Sequence, residues 1–313
     1  MITFFMITDR GTEHLLKMEN GSPMELTCEA PAKINLYLAI KGKRADGFHD
    51  LETRMVKITL ADRLHLARRD SGITAECPES DLPTGEGNLV YRAAKSFFTA
   101  LGTGGGVHIV LEKKVPIAAG LGGGSSDAAA VLRGLNILYG SPFSSGKLAD
   151  LARPLGADVP FFVDECTVAW ATGIGDEIHA EDISPSGWIV LVNPGFPVST
   201  KWVYENFTLT TGGNPYILGR DFVHGNDACA GPGNLPLYNE LEAVTIGKYP
   251  ELGRIKDELL ADGAHGALMS GSGPTVFGLF GNEAQAHKSV ARFAKRFGRN
   301  VFLARPLSTQ AKR

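Results

Sequence analysis

Pro116-Ile117-Ala118-Ala119-Gly120-Leu121-Gly122-Gly123-Gly124-Ser125-Ser126-Asp127 is the most informative stretch of this chain. Glycines leave backbone N–H groups uncovered and permit positive φ, so such a segment can wrap closely around an anion. It follows an extended segment, Val107 to Leu111. It leads into an amphipathic helix with Ala128, Val131, Leu132, Leu135 and Leu138 on its apolar face. Ser125 and Ser126 are placed to cap that helix, whose N-terminal dipole favours phosphate. A linker or tight turn is the plain alternative for any glycine-rich run. Two features weigh against it: the run joins strand to helix, and Pro116 fixes the approach.

The letters exclude two common phosphate loops. A Walker A loop requires Gly-x-x-x-x-Gly-Lys-Ser/Thr, and no lysine lies between Lys114 and Lys147. The dinucleotide fingerprint Gly-x-Gly-x-x-Gly would need glycine at Ser125. A loop without its own lysine must draw a cation from elsewhere in the chain.

Upstream, Glu25 to Ala30, Ile34 to Ile40, Thr53 to Leu60 and Asp62 to Ala67 read as strands. Asn88 opens a helix with Leu89, Ala93, Phe97 and Leu101 at helical spacing, and Gly102 ends it. Downstream, Lys147 to Arg153 forms a helix that stops at Pro154. A composition shift near Asp182 to Gly187 marks a domain boundary. The expected organisation is a polar N-terminal extension over 1–23, one domain over 24–185 and a second over 186–313.

In the second domain, Ile189 to Asn193 reads as a strand, and Asn239 to Val244 and Leu252 to Leu260 as helices. Ala267 to Ser270 and Val276 to Phe280 form a strand pair around Gly271-Ser272-Gly273-Pro274. Asn282, with Gln285 three residues on, caps a helix carrying Ala286, Val290, Phe293, Ala294 and Phe297 on one face. Gly298 ends it and Val301 to Ala304 returns as a strand. This alternation predicts a two-layer α+β sandwich. Thr208 to Gly233, rich in Gly, Asn and Asp, reads as a surface loop.

Composition bounds the function. With 313 residues, 43% apolar and 21% charged, the chain has the profile of a globular protein of about two domains. A net charge of −3 gives no general attraction to nucleic acid or anionic lipid, so any anion must be held by a local device. Cys28, Cys77, Cys166 and Cys229 lie far apart and read as free thiols of a reducing, cytoplasmic compartment. No stretch approaches the roughly 18 apolar residues of a membrane span. Ile2 to Ile7 is too short for a signal-peptide core, and Met6, Met18 and Met24 are further possible starts. No His/Cys spacing suggests zinc, no acidic cluster suggests a dedicated metal cage, and no Gly-x-Ser-x-Gly nucleophile motif is present.

Pro-x-x-x-Gly-Leu-Gly-x-x-Ser-Ser, as it stands from Pro116 to Ser126, resembles the phosphate loop of the galactokinase, homoserine kinase, mevalonate kinase and phosphomevalonate kinase (GHMP) superfamily. Ala118 and Ala119 stand where some members carry glycine. Ala30-Pro31-Ala32-Lys33-Ile34-Asn35-Leu36 is similar to the first motif of that superfamily, and Leu268 to Gly278 to its third. Arg44-Ala45-Asp46-Gly47-Phe48-His49-Asp50-Leu51 looks like the Arg-x-Asp-Gly-Tyr/Phe-His segment of the 4-diphosphocytidyl-2-C-methyl-D-erythritol kinases. Gly87 to Leu89, Leu155 to Pro160 and Asn193 to Gly195 resemble the same family.

The resemblance implies a two-domain α+β fold, with an N-terminal domain like domain 2 of ribosomal protein S5 and a C-terminal ferredoxin-like sandwich. It implies transfer of phosphate from ATP, with Mg2+, to the 2-hydroxyl of a cytidine diphosphate-linked methylerythritol, in non-mevalonate isoprenoid synthesis. The expected partner is this small molecule alone, with no nucleic acid or membrane, and the expected state a monomer or weak homodimer. Asp158 would be the base and Lys33 its partner. Asn88, Lys113 and the loop residues Pro116, Ile117, Ala118, Ala119, Gly120, Leu121, Gly122, Gly123, Gly124, Ser125 and Ser126 would hold ATP, with Ser125 or Ser126 on phosphate or Mg2+. Asn35 would meet the substrate's hydroxyl end, Phe48 stack on cytosine, His49 bond its polar edge and Tyr204 form a second wall, with Asp158 also on the substrate.

Without the family, the same residues read differently. Asp158 before Val159-Pro160 is then a turn or cap residue, Lys33 a solvated charge and Asn88 a helix cap. Competing functions are another GHMP kinase, of homoserine or mevalonate type, and a non-catalytic nucleotide-binding protein on the same fold. Arg44 to His49 argues against the first, and the joint presence of Lys33 and Asp158 against the second.

Overall fold

The first elements are a hairpin, β1 (Ile2–Asp9) and β2 (Thr12–Glu19), followed by two long strands, β3 (Ser22–Lys43) and β4 (His49–Arg69). The computed structural model describes residues 2–9, 12–19, 22–78, 80–182, 186–208 and 237–308. The surface loop expected from Thr208 to Gly233 falls, beyond Thr208, outside the described residues, as does Cys229.

Within the stretch expected as a polar extension, Leu15 to Glu19 pair antiparallel with β3 and continue its sheet. Leu16 is buried there, whereas Phe5 and Met6 of β1 stay exposed. Among the described side chains of β1 and β2 only Leu16 is buried, and the pairing with β3 is by backbone. Four expected strands are likewise two. Pro31 breaks the alternation of β3 at a register shift between Pro31 and Lys33, yet pairing with β4 resumes beyond it.

The first sheet runs β1-β2-β3-β4-β6-β5, with β5 at Gly72–Glu76 and β6 at Gly106–Glu112. β7 (Val168–Thr172) pairs with β4 and with β8 (Glu177–Ala180). Helices α1 (Leu89–Leu101), α2 (Gly123–Leu138), α3 (Ser145–Ala152) and α4 (Val159–Val163) cover one face. Asn88 caps α1 by accepting the Val90 N–H at 3.0 Å, as its sequence predicts.

The second sheet is antiparallel in the order β11-β12-β9-β13, from β9 (Trp188–Val192), β11 (Gly266–Met269), β12 (Val276–Phe280) and β13 (Val301–Ala304). Helices α5 (Thr200–Asn206), α6 (Glu242–Lys248), α7 (Glu251–Ala261) and α8 (Glu283–Phe297) complete this half. Strand–helix–strand–strand–helix–strand in this order is the ferredoxin-like arrangement. A short strand, β10 (Tyr238–Asn239), returns to pair parallel with β3.

Three apolar cores hold the layers. Helices α1 to α4 pack on the first sheet through Leu26, Ala30, Leu64, Phe97, Leu132 and Phe161. Helices α7 and α8 pack on the second through Ile255, Leu259, Phe280 and Phe293. Ile34, Val56, Leu191 and Phe277 join the two sheets face to face. Ala30 belongs to the helical core, whereas Ala32, Ile34 and Leu36 belong to the core between sheets. The apolar alternation of β3 therefore changes side at the register shift. That change puts Lys33 and Asn35 opposite the inter-sheet core.

Candidate active site

The glycine run is the turn between β6 and α2. Gly120 has φ +76°, and a Cβ there would lie 2.1 Å from the Ser270 carbonyl oxygen. The turn is bonded on two sides. The Lys33 N–H donates to the Leu121 carbonyl at 2.9 Å, the Ser270 hydroxyl to the Gly120 carbonyl at 2.9 Å, and the Thr275 N–H to the Ala119 carbonyl at 3.3 Å. Lys33 comes from β3; Ser270 and Thr275 flank the β11–β12 turn. The expected serine cap is absent: α2 begins at Gly123 with Gly122 as its cap, and no side chain caps it. The Ser126 N–H already bonds the Gly122 carbonyl, so both serines lie inside the first turn. Ser125 lines the cleft over α2, whereas Ser126 is buried away from it, its hydroxyl without a partner among the described residues.

Lys33 is 5% exposed at its side chain. Its Nζ donates to Asn35 Oδ1 at 2.7 Å and stands 3.4 Å from Asp158 Oδ2. Asn35 Nδ2 donates in turn to Thr53 Oγ1 at 2.8 Å, and Thr53 to the Tyr37 carbonyl. Both ends of the Asn35 amide are therefore engaged in holding Lys33. Asp158 precedes α4, but its carboxylate caps nothing and is 32% exposed. Neither residue is a surface charge or cap of the plain kind. They are paired side chains on the wall of one cleft.

Lys113 has a different setting. Its Nζ bonds Asp62 Oδ2 and, at 2.9 Å, Asp127 Oδ2, with both carboxylates almost wholly buried. It also lies 3.3 Å from the place a Cβ on Gly123 would take, directly under the glycine turn. Asp62 Oδ1 accepts the Lys114 and Val115 N–H groups, fixing the start of the loop. Sequence reasoning missed Asp62 and Asp127, because 51 and 14 residues separate them from Lys113. Burial alone would lower the Lys113 pKa, but the two carboxylates outweigh it and raise it. Burial pushes the Asp127 carboxyl from 3.8 up to about 7, Lys113 pulling it down and Asp62 adding to the rise.

This has a consequence for stability. Between about pH 4 and 7 the folded protein keeps a proton on Asp127 that the unfolded chain has lost, so this contribution declines as pH rises through that window. Asp127→Asn cannot titrate. The urea midpoint of the unsubstituted protein is expected to fall more steeply than that of Asp127→Asn between about pH 5 and 7.5. Parallel profiles would contradict the assignment.

Beyond Asp158 the cleft becomes aromatic. Tyr204, on α5, is raised in pKa by burial and then by the Asp158 charge. Its ring lies 5.3 Å from that of His49, and Phe207 meets His49 edge-on at 6.3 Å. The His49 pKa is lowered, by burial first and by the Lys43 charge second. Phe48 lies in the cleft lining, is 59% exposed and stacks on no other ring among the described residues. Asn88 also lines the cleft, but Oδ1 caps α1 and Nδ2 donates to the Pro83 carbonyl at 2.9 Å. The cleft has a volume of about 1050 Å3. A chain of neighbours orders it: Lys113 under Gly123, Lys33 beside Gly122, Asp158 against Lys33, then Tyr204 and His49. Among the described residues no group of three or more His, Cys, Asp and Glu side chains is placed to hold a metal ion. No helix among them is long and apolar enough to cross a membrane.

Comparison with known proteins gives this geometry a family. The GHMP kinases N terminal domain matches residues 88–165, and the GHMP kinases C terminal domain matches residues 227–300. The 4-diphosphocytidyl-2-C-methyl-D-erythritol kinase of Geobacter sp. (strain M21) is 46% identical over 270 residues, 86% of this chain and 94% of that protein. That of Syntrophus aciditrophicus (strain SB) is 46% identical over 280 residues, 89% of this chain and 98% of that protein. A crystal structure of 4-(cytidine 5'-diphospho)-2C-methyl-D-erythritol kinase superposes with a TM-score of 0.73 at 36% identity, covering 90% of this chain and 99% of that one. Homoserine kinase from Cytophaga hutchinsonii, with a TM-score of 0.68 at 18% identity over 98% of each chain, shares the fold. The chain belongs to the 4-diphosphocytidyl-2-C-methyl-D-erythritol kinases, a branch of the GHMP kinases.

Proposed function

We propose that this protein transfers the γ-phosphate of ATP to the 2-hydroxyl of 4-diphosphocytidyl-2-C-methyl-D-erythritol, a cytoplasmic step of non-mevalonate isoprenoid synthesis. The observation that carries the reading is one cleft holding the glycine turn, the Lys33–Asp158 pair and the Phe48–His49–Tyr204 wall.

Phosphoryl transfer asks for positioning, charge neutralisation and a base for the hydroxyl proton. Asp158 accepts that proton as the substrate oxygen bonds to the γ-phosphorus and ADP departs with the electrons of the broken P–O bond. Lys33, held by Asn35, faces the Asp158 carboxylate at 3.4 Å and stabilises charge on the attacking oxygen and the γ-phosphoryl group. The uncovered N–H groups of Gly122 to Gly124, at the start of α2, receive phosphate oxygens, and the α2 dipole adds to the attraction. Asn88 and Lys113 stand on the nucleotide side. Ser125 is the loop hydroxyl facing the cleft that would help hold Mg2+, which when bound would supply positive charge against the phosphates. Phe48 offers an open face for cytosine, His49 a ring nitrogen for its polar edge, and Tyr204 the opposite wall.

The test is ADP release with MgATP, comparing the cytidine substrate with homoserine, mevalonate and galactose. Turnover confined to the cytidine substrate is expected, and Phe48→Ala should raise its KM roughly 5- to 100-fold, the usual worth of one base–aromatic stack, with ATP affinity unchanged. Turnover with another alcohol instead would discard the cytosine pocket, and equal loss of ATP binding would refute the division of the cleft.

A further inference from the structure

The proposed substrate carries a diphosphate between its cytidine and its reacting alcohol, and the residues named so far leave that diphosphate without a counter-charge. Five cationic side chains line the cleft among the described residues: Lys33, Lys43, Lys113, Arg153 and Lys201. Four already face carboxylates. Lys33 stands against Asp158 at 3.4 Å and Lys113 is enclosed by Asp62 and Asp127. Arg153 pairs with Asp150 at 2.6 Å, and Lys201 lies 3.8 Å from Glu205. Lys43 forms no ion pair with any described carboxylate. Its hairpin neighbours do: Lys41 with Glu52, and Arg44 with Asp46 and Asp50.

Position supports the same conclusion. Lys43 is the last residue of β3 and stands in register opposite His49, the first residue of β4. Facing residues on antiparallel strands have Cβ atoms about 5 Å apart, so the ammonium and the imidazole share one patch of the cleft. The Lys43 charge is felt at the His49 ring. A ligand whose base reaches His49 and whose alcohol reaches Asp158 carries its diphosphate past this patch. Lys43 is exposed, and a lysine on its flexible stem can follow a phosphate group.

We propose that Lys43 is a substrate-binding residue that holds the diphosphate of the cytidylyl substrate and so separates nucleoside diphosphates from nucleosides in the cleft. This rests on the substrate reading above. The test compares CDP with cytidine as competitors of the cytidine substrate in the full-length protein, alongside Lys43→Met and Lys43→Arg. The unsubstituted protein is expected to prefer CDP over cytidine by roughly 10-fold or more, as one charge-assisted contact allows. Lys43→Met should bring that ratio close to one and raise KM for the substrate by a similar factor, with ATP affinity unchanged. Lys43→Arg should keep the preference. A ratio unchanged in Lys43→Met would overturn the role of Lys43 while leaving the substrate reading intact. If the unsubstituted protein binds neither CDP nor cytidine, the substrate reading itself fails and takes this proposal with it.

Discussion

Asp158→Ala is expected to lower kcat by roughly 10² to 10⁴, the usual worth of a positioned general base, with the fold retained. The carboxylate is partly exposed, caps no helix and has Lys33 as its ion-pair partner, so no large apolar contact is lost with it. What does change is the local charge. Lys33 is left with Asn35 alone, and its buried ammonium lacks the anion that faces it at 3.4 Å. Asp158→Asn keeps the shape of the side chain and removes both its basicity and its charge, so a loss shared with Asp158→Ala is not one of packing. Both variants should fall to a similar rate with the circular dichroism spectrum of the parent, and any drop in melting temperature should be alike in the two, since each leaves Lys33 without its anion. Near-normal ADP release from either variant would remove Asp158 from the role of base.

Gly120→Ala is expected to cost roughly 3 kcal/mol or more in stability and to abolish measurable ATP binding. Two penalties combine at this position. A φ of +76° is strained for any residue with a Cβ, and the added carbon would sit 2.1 Å from the backbone oxygen of Ser270. Backbone cannot move aside as a side-chain tip can. Gly140 provides the control, since its φ is +79° and nothing lies within 4 Å of the same added atom. Gly140→Ala should therefore cost only about 1 kcal/mol, the left-handed penalty alone. Urea titration of the pair measures the difference. Equal losses would mean that Ser270 and the turn move apart without consequence.

The parts of the fold that were legible in the sequence are those decided within a few residues. Asn88 and Asn282 cap their helices as read, since a cap and its N–H partner lie two or three positions apart. The glycine run was legible for the same reason; Lys33 and Asp158 were named from the motifs they sit in, and the structure sets them 3.4 Å apart. The long strands were not. Pro31 and the polar residues around Asp62 interrupt the alternation, and only the cross-strand partners show that pairing continues beyond the interruption. The same limit hid the surroundings of the site. Asp62 looked like an ordinary strand residue, because nothing in its neighbours announces a lysine 51 positions later that will need a buried anion. Ser125 and Ser126 misled in the opposite direction: serine before a helix suggests a cap, but the turn at Gly122 starts the helix before either is reached. Strands β1 and β2 were missed because the pairing partner of β2 is β3, which no local pattern announces.

The bonds from Ser270 and Thr275 to the glycine turn also bear on how such chains can be recombined. A crossover between Glu181 and Trp188 would give one parent the glycine turn and the other parent its roof. Such a hybrid joins two halves that each pack well and yet meet across a cradle neither parent specified. Lys33 and Leu121 travel together in any such exchange; Gly120 and Ser270 do not. If the proposed division of the cleft holds, new acceptor preferences are better sought by swapping residues 43–49 with their cleft neighbours than by exchanging whole halves, since both halves bond into the glycine turn.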